Sequence, residues 1–305
     1  MNYLNLIRYK NLFIIAFTQI VIKFVLFPTF DIFTTLNTIQ FTCLVIATLC
    51  IAAGGYVIND INDVIADGIN KPNKLIVTKK ISLNTANNLY MALTIIGVCF
   101  GLYVSNSIDK NAFLAVFILV AGLLYSYATN LKNIPILGNI IISLLVGLSI
   151  LIVGVFDLTP AITLENKDFQ KQMMSLLLDY AIFAFFINLI RELVKDCEDI
   201  DGDYKQGVNT LPIAFGIKRT ALVSFGLVVI TIMSVIYYNY IYFYKYTYVL
   251  AYFVFLVIAP LLYCAIQLIS AKHKKEFSRI SLVLKITLFT GVCSMFLFKY
   301  ILENA

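Results

Sequence analysis

Tryptophan is missing from this chain of 305 residues, histidine occurs once, proline six times, and charged residues make up only 13%. A soluble domain carries nearer a quarter of charged residues. With 61% hydrophobic residues and a mean hydropathy of +0.89, too little polar surface exists to cover an aqueous fold. The composition excludes a soluble globular protein and puts the chain in a lipid bilayer. The single His273 lies in a basic K-H-K-K run, so no histidine triad is available for catalysis. The six cysteines (43, 50, 99, 197, 264 and 293) include no C-x-x-C pair, and five lie in apolar runs. They read as buried free thiols, which leaves neither a disulfide framework nor a zinc site. Without tryptophan, the interfacial anchoring falls to 19 Tyr and 24 Phe.

Long apolar runs are what the chain has instead. Nine segments of spanning length occur, at about 11–30, 38–58, 88–104, 112–129, 136–156, 174–190, 220–241, 247–269 and 281–302. Backbone groups in lipid must be satisfied within the segment, so these are expected to be helices. The basic start, Arg8 and Lys10, is followed by no small-residue cleavage site, so the first run is expected to be retained. The expected fold is all-α and polytopic, with residues 1–305 forming one intramembrane domain. With nine spans, sixteen Lys and Arg fall on the side of the N-terminus and five on the other. That bias predicts an N-terminus and alternate loops in the cytoplasm of an integral protein of the cell membrane. It also accounts for the net charge of +6 without any nucleic-acid partner.

The few acids are concentrated. Seven of the twelve Asp fall in two windows, N-D-I-N-D-V-I-A-D at 59–67 and D-C-E-D-I-D-G-D at 196–203. Asp60, Asp63 and Asp67 have the same spacing as Asp196, Asp199 and Asp203. On a helix each trio occupies a face about 60° wide. The trios are expected at the cytoplasmic ends of the second and sixth helices, four helices apart, which suggests two pseudo-repeated four-helix halves with a ninth helix added. Each leads into a proline-containing loop, 68–87 or 204–219.

Six carboxylates around one cavity repel; two unit charges 4 Å apart interact by about 4 kcal/mol even at an effective dielectric near 20. Cations between them relieve this, and an all-oxygen donor set selects Mg²⁺ or Ca²⁺. Mg²⁺ is commonly shared between carboxylates and substrate phosphates. Basic residues interleave with the acids: Arg191 and Lys195 before the second trio, Lys74 after the first, Lys132 between them. Such residues bind phosphate oxygens. A diphosphate beside an apolar bundle implies a lipid tail. A cation or proton transporter is the rival reading, but transporter carboxylates lie near mid-membrane at broken helices. Here they are read at helix ends beside Arg and Lys.

The residues also carry a resemblance. N-D-x-x-D-x-x-x-D followed by D-x-x-D-x-x-x-D resembles the two motifs of the UbiA-type intramembrane prenyltransferases. Arg8-x-x-Asn11 resembles that family's R-P-x-N, with Tyr9 in place of Pro. Asn70-Lys71-Pro72-Asn73-Lys74 resembles N-x-P-x-R, although the usual P-I-P-S-G continuation here reads L-I-V-T-K. Residues 125–139 carry Tyr125, Lys132, Gly138 and Asn139 of the family's Y-S…L-K…G-N, and 207–216 resembles G-x-x-T-L-P-x-x-x-G. The resemblance implies a nine-helix bundle and Mg²⁺-dependent transfer of a prenyl group from an allylic diphosphate. It implies Asp60, Asp63, Asp67, Asp196, Asp199 and Asp203 as metal ligands. Lys132 and Arg191 would act with them on the departing diphosphate. Arg8, Asn11, Asn59, Lys74, Tyr125, Asn139, Glu192 and Lys195 would bind substrate. The run R-E-x-x-K-D-x-E-D-x-x-G-D at 191–203 is similar to that of the ether-lipid branch, whose acceptor is geranylgeranylglyceryl phosphate. For that acceptor Glu192 or Glu198 would take the proton. An aromatic acceptor, such as homogentisate, 4-hydroxybenzoate or dihydroxynaphthoate, is the alternative.

Overall fold

The computed structural model describes residues 1–73 and 75–303. Among the described residues nine helices are long and apolar enough to cross a membrane: α1 Tyr9–Thr29, α2 Thr38–Asn62, α3 Leu83–Ser107, α4 Asn111–Thr129, α5 Leu137–Ala161, α6 Lys167–Gln206, α7 Ile217–Tyr242, α8 Thr247–Ser270 and α9 Lys274–Glu303. Among the described residues there is no strand, only an isolated bridge between Val77 and Ile81. The protein is therefore all-α and an integral multi-pass membrane protein, as its hydropathy requires.

Two expectations about helix ends are corrected. The sixth apolar window stops at 190 because Arg191, Glu192, Lys195 and Asp196 follow it, yet α6 runs 40 residues to Gln206. Nothing in 191–201 breaks a helix, and Glu192 bridges Arg191 and Lys195 along the turn. The second acidic trio thus lies within a continuous helix, which ends only where Gly207 takes a φ of 79°. The loop expected at 204–219 shrinks accordingly and contains a further short helix, Leu211–Phe215. After α2, similarly, the chain turns straight into a short helix, Val64–Asn70.

The chain divides into two compact units. Unit 1 comprises Met1–Lys132 and Leu148–Leu178. Lipid supplies no hydrophobic drive between helices, so close approach through small residues has to hold them. A Cβ on Gly97 of α3 would lie 2.6 Å from Ile51 of α2, and one on Gly101 would lie 2.4 Å from the Phe117 ring of α4. Lys23, at 7% exposure, is buried deep in α1. Its Nζ lies 2.9 Å from both carboxylate oxygens of Asp157 in α5 and donates to the Leu36 carbonyl at 2.7 Å. The Leu36 N–H donates to the same carboxylate at 2.8 Å. The helix widens to a π-turn over Ile22–Leu26, around Lys23.

Unit 2 comprises Asn133–Gly147 and Asp179–Ala305. Its core joins one face of α6 (Ile187, Val194) to α7 (Val228), α8 (Leu261) and α9 (Ile280, Leu284), all fully buried.

Candidate active site

In unit 1 the acids gather where α2 ends. Asp60 is in the last turn of α2, and Asp63 caps it with φ −96° and ψ 12°. Asp67 belongs to the next short helix. The first trio is therefore bent at Asp63 and does not form the single helical face its spacing predicts. Arg8 sits at a break between the helix Asn2–Leu6 and α1, in the left-handed region with φ 53°. A non-glycine residue held there is uncommon, and such strain collects at functional positions. Its Nη2 donates to Asp60 Oδ1 at 2.8 Å, and its guanidinium lies 4.9 Å from the centre of the Tyr56 ring. Asn11 Nδ2 donates to the Tyr56 hydroxyl at 3.3 Å. Asp63 is held between Lys132, whose Nζ donates to Oδ1, and Asn59, whose Nδ2 donates to Oδ2 at 2.6 Å. Burial, and then the neighbouring Asp60 and Asp63, push the Asp67 carboxyl up to about 6 against the opposing pull of Lys71 and Arg8. A carboxyl so placed favours a cation beside it.

Tyr125 is half exposed and stacks on Tyr90 with ring centres 6.4 Å apart. Lys74, assigned to the substrate, lies outside the described residues. The loop after the short helix is seated by Val77 and Ile81, which are buried against Leu6 and Val57. Tyr56 escaped the sequence reading; its only signal was its place one turn before Asp60.

In unit 2, Asp196, Asp199 and Asp203 all project from α6. Asp196 Oδ2 accepts from Asn139 Nδ2 at 2.9 Å. Behind that amide, the Ser143 hydroxyl donates to the Asn139 carbonyl at 2.6 Å and accepts from Asn188 at 3.2 Å. The start of α5 thereby orients the acidic turn of α6. Ser143 and Asn188 are buried and carried no signal in the sequence, because small polar residues are common in membrane helices. Glu192, 8% exposed, holds Arg191 at 3.0 Å and Lys195 at 3.1 Å. Lys274, read from sequence only as a topology marker, has its Nζ 4.0 Å from Asp199 Oδ1.

Among the described residues no three carboxylate, imidazole or thiol side chains are gathered closely enough to hold an ion by themselves. The acids are turned to Arg8, Lys132, Asn139 and Lys274. The donors of each trio are all oxygen, and Asp67 is raised by burial and then by its acidic neighbours. Such a set fits Mg²⁺ shared with phosphate oxygens.

Nine membrane helices among the described residues, with acids and bases interleaved at the end of α2 and within α6, define an intramembrane prenyltransferase. The UbiA prenyltransferase family matches residues 20–289, and the chain belongs to that family. The digeranylgeranylglyceryl phosphate synthase of Saccharolobus solfataricus is 33% identical over 250 residues, which cover 81% of this chain and 80% of that one. The synthase of the same name from Methanosphaera stadtmanae is 28% identical over 287 residues, 93% and 94% of the two chains. A solved structure described as giving insights into digeranylgeranylglyceryl phosphate synthase in membranes superposes with a TM-score of 0.63 at 26% identity, over 97% of this chain and 98% of its own. A UbiA homolog from Archaeoglobus fulgidus bound to GPP and Mg²⁺ shares the fold, with a TM-score of 0.56 at 15% identity over 97% and 99% of the chains.

Proposed function

We propose that the protein transfers a geranylgeranyl group from its diphosphate to the free hydroxyl of geranylgeranylglyceryl phosphate, forming the second ether bond of a membrane lipid. The observation that carries this reading is the pairing of each acidic trio with basic side chains in a chain similar to synthases of that name. Asp60, Asp63, Asp67, Asp196, Asp199 and Asp203 would hold Mg²⁺, and residues 1–305 would act as one domain. Bound Mg²⁺ supplies charge neutralisation of the departing diphosphate.

The residues of the chain do the rest. Arg8 and Lys132 leave Asp60 and Asp63 for phosphate oxygens, and Arg191 and Lys195 likewise turn from Glu192 to phosphate oxygens. Asn139 keeps Asp196 oriented, and Asn59 does so for Asp63. The allylic C–O bond breaks with its electron pair going to the diphosphate. The acceptor oxygen bonds to the resulting cation, and its proton passes to Glu192. Tyr125 and Tyr90 offer aromatic faces to the cation, and Asn11 with Tyr56 steadies Arg8.

The sixteen-to-five basic bias supports an orientation with the acidic ends in the cytoplasm. The test is a transfer assay with purified protein, Mg²⁺ and geranylgeranyl diphosphate. Geranylgeranylglyceryl phosphate should yield an acid-stable ether lipid. Product with homogentisate, 4-hydroxybenzoate or dihydroxynaphthoate alone would move the acceptor to the aromatic class.

A further inference from the structure

Unit 2 contains a cavity of about 190 Å³ that the proposed reaction leaves unused. It lies among α6, α7, α8 and α9, away from the acidic turn. Along α6, Asp179 precedes Asp196 by a helix rise of about 25 Å. Its polar lining is at that far end: Asp179, then Tyr238 and Asn239, which lie just before the end of α7 at Tyr242. The lining nearer the middle of the helices is mainly apolar, with Phe183, Phe186 and Val235, and its Thr231 and Ser234 hydroxyls donate to carbonyls of their own helix. Gly291 makes room for this wall, since a Cβ there would lie 2.5 Å from the Phe183 ring.

One of the polar groups is incompletely satisfied. Asn239 is 5% exposed; its Nδ2 donates to the Val235 carbonyl at 2.8 Å, while its Oδ1 meets no donor. A buried carbonyl oxygen without a donor is costly, and more so in an aromatic surround. Asp179 accepts from the Tyr238 hydroxyl at 3.2 Å and has no basic partner among the described residues. Tyr180 and Ser294, the other hydroxyls at that level, are already bonded to each other at 2.7 Å.

The cavity therefore asks for a hydrogen-bond donor and rejects negative charge. That rules out the diphosphate and any phosphate-bearing acceptor as its occupant. An ammonium head would have to leave water for aromatic walls, whereas a hydroxyl satisfies Asn239 Oδ1 with one bond and little desolvation. A cavity of about 150 Å³ holds a benzene-sized group, so only the first stretch of a chain is enclosed. The remainder leaves between α6 and α7, where Ile182 and Ser234 line the cavity and are exposed.

We infer that this cavity is a second lipid site, which binds a neutral long-chain alcohol. Its hydroxyl donates to Asn239 Oδ1 beside the Asp179–Tyr238 pair, and its chain lies along Phe183 and Phe186.

A diazirine-bearing dodecanol, photolysed with the purified protein in nanodiscs, tests this by mass-spectrometric mapping of the labelled peptides. Label is expected within 179–186 and 231–243, displaced by 1-dodecanol but not by dodecanoate. Asn239→Leu should cut the labelling about tenfold and leave prenyl transfer unchanged. Ser234→Phe, which fills the exit from a position tolerant of size, should do the same if Asn239→Leu folds poorly. Label spread over all lipid-facing helices and indifferent to Ser234→Phe would overturn the site. Equal displacement by dodecanoate would overturn its polarity, and displacement by dodecylamine alone would overturn the alcohol. Loss of prenyl transfer together with the label in both variants would make the cavity part of the reaction path and overturn its separateness.

Discussion

Asp60 and Asp196 hold the same rank in their trios, but Asp60 is held by the cation of Arg8 and Asp196 by the neutral amide of Asn139. Both are proposed to hold Mg²⁺, so neither change to asparagine should be tolerated. Asp60→Asn and Asp196→Asn are each expected to lower turnover by about 10²–10³-fold, the scale for losing one element of preorganised charge stabilisation. Yield and thermal stability should stay near those of the parent. Near-normal product formation by Asp196→Asn at saturating Mg²⁺ would remove the second trio from the proposed metal ligands. Chelation should likewise abolish transfer, and added Mg²⁺ should restore it. At the other charged pair the expectation is structural. Lys23→Met leaves the Asp157 carboxylate buried with only backbone partners, which costs about 3–5 kcal/mol when a buried pair loses one member. Thermal denaturation in detergent should show this as a large fall in Tm, and Asp157→Leu added to Lys23→Met should recover part of it. Equal Tm for Lys23→Met and parent would mean that the pair contributes nothing.

Among the elements, α2 and α3 depend on glycine for their approach and α6 on an unbroken helix for its acids. Gly97→Ala would put a methyl group 2.6 Å from Ile51 Cγ1 and 3.1 Å from the Ala47 carbonyl. Backbone cannot yield as a side chain can, so the change should cost about 1–3 kcal/mol. The readout is Tm; an unchanged value would show that the two helices can separate freely. The loop after the first acidic trio is an element of a different kind, seated by two apolar side chains rather than by prolines. Ile81, 6% exposed, is the more exposed of the two anchors. Ile81→Ser should loosen the loop, seen as faster proteolysis between 71 and 82, and should slow transfer through poorer placement of Asp67. Unchanged proteolysis would show that Val77 seats the loop alone.

For the molecule as a whole, orientation in the membrane is the open quantity that a direct measurement reaches. A single cysteine placed in the 157–173 loop of a cysteine-free variant should be labelled by an impermeant reagent on intact cells. Cysteines placed in 71–82 or at 207–210 should be labelled only after permeabilisation. The reverse pattern would overturn the cytoplasmic placement of the acidic ends. Removing the native cysteines is expected to be mild, because all six are free thiols and none is used by the proposed chemistry.

Nine spans and two acidic trios were determined by the sequence alone, because hydropathy and charge are local quantities that a short window carries. The preference of an all-oxygen donor set for Mg²⁺ or Ca²⁺ is equally local, because it follows from the ligand types alone. Only the tertiary structure decided which base meets which acid. Arg8 reaches Asp60 across 52 positions, Lys132 reaches Asp63 across 69, and Asn139 reaches Asp196 across 57. Lys23 and Asp157, 134 positions apart, are likewise joined only by packing. The length of α6 was hidden as well, because a helix continues through charged residues that end an apolar window. Partners so far apart are chosen by how helices pack, and no local pattern records that packing.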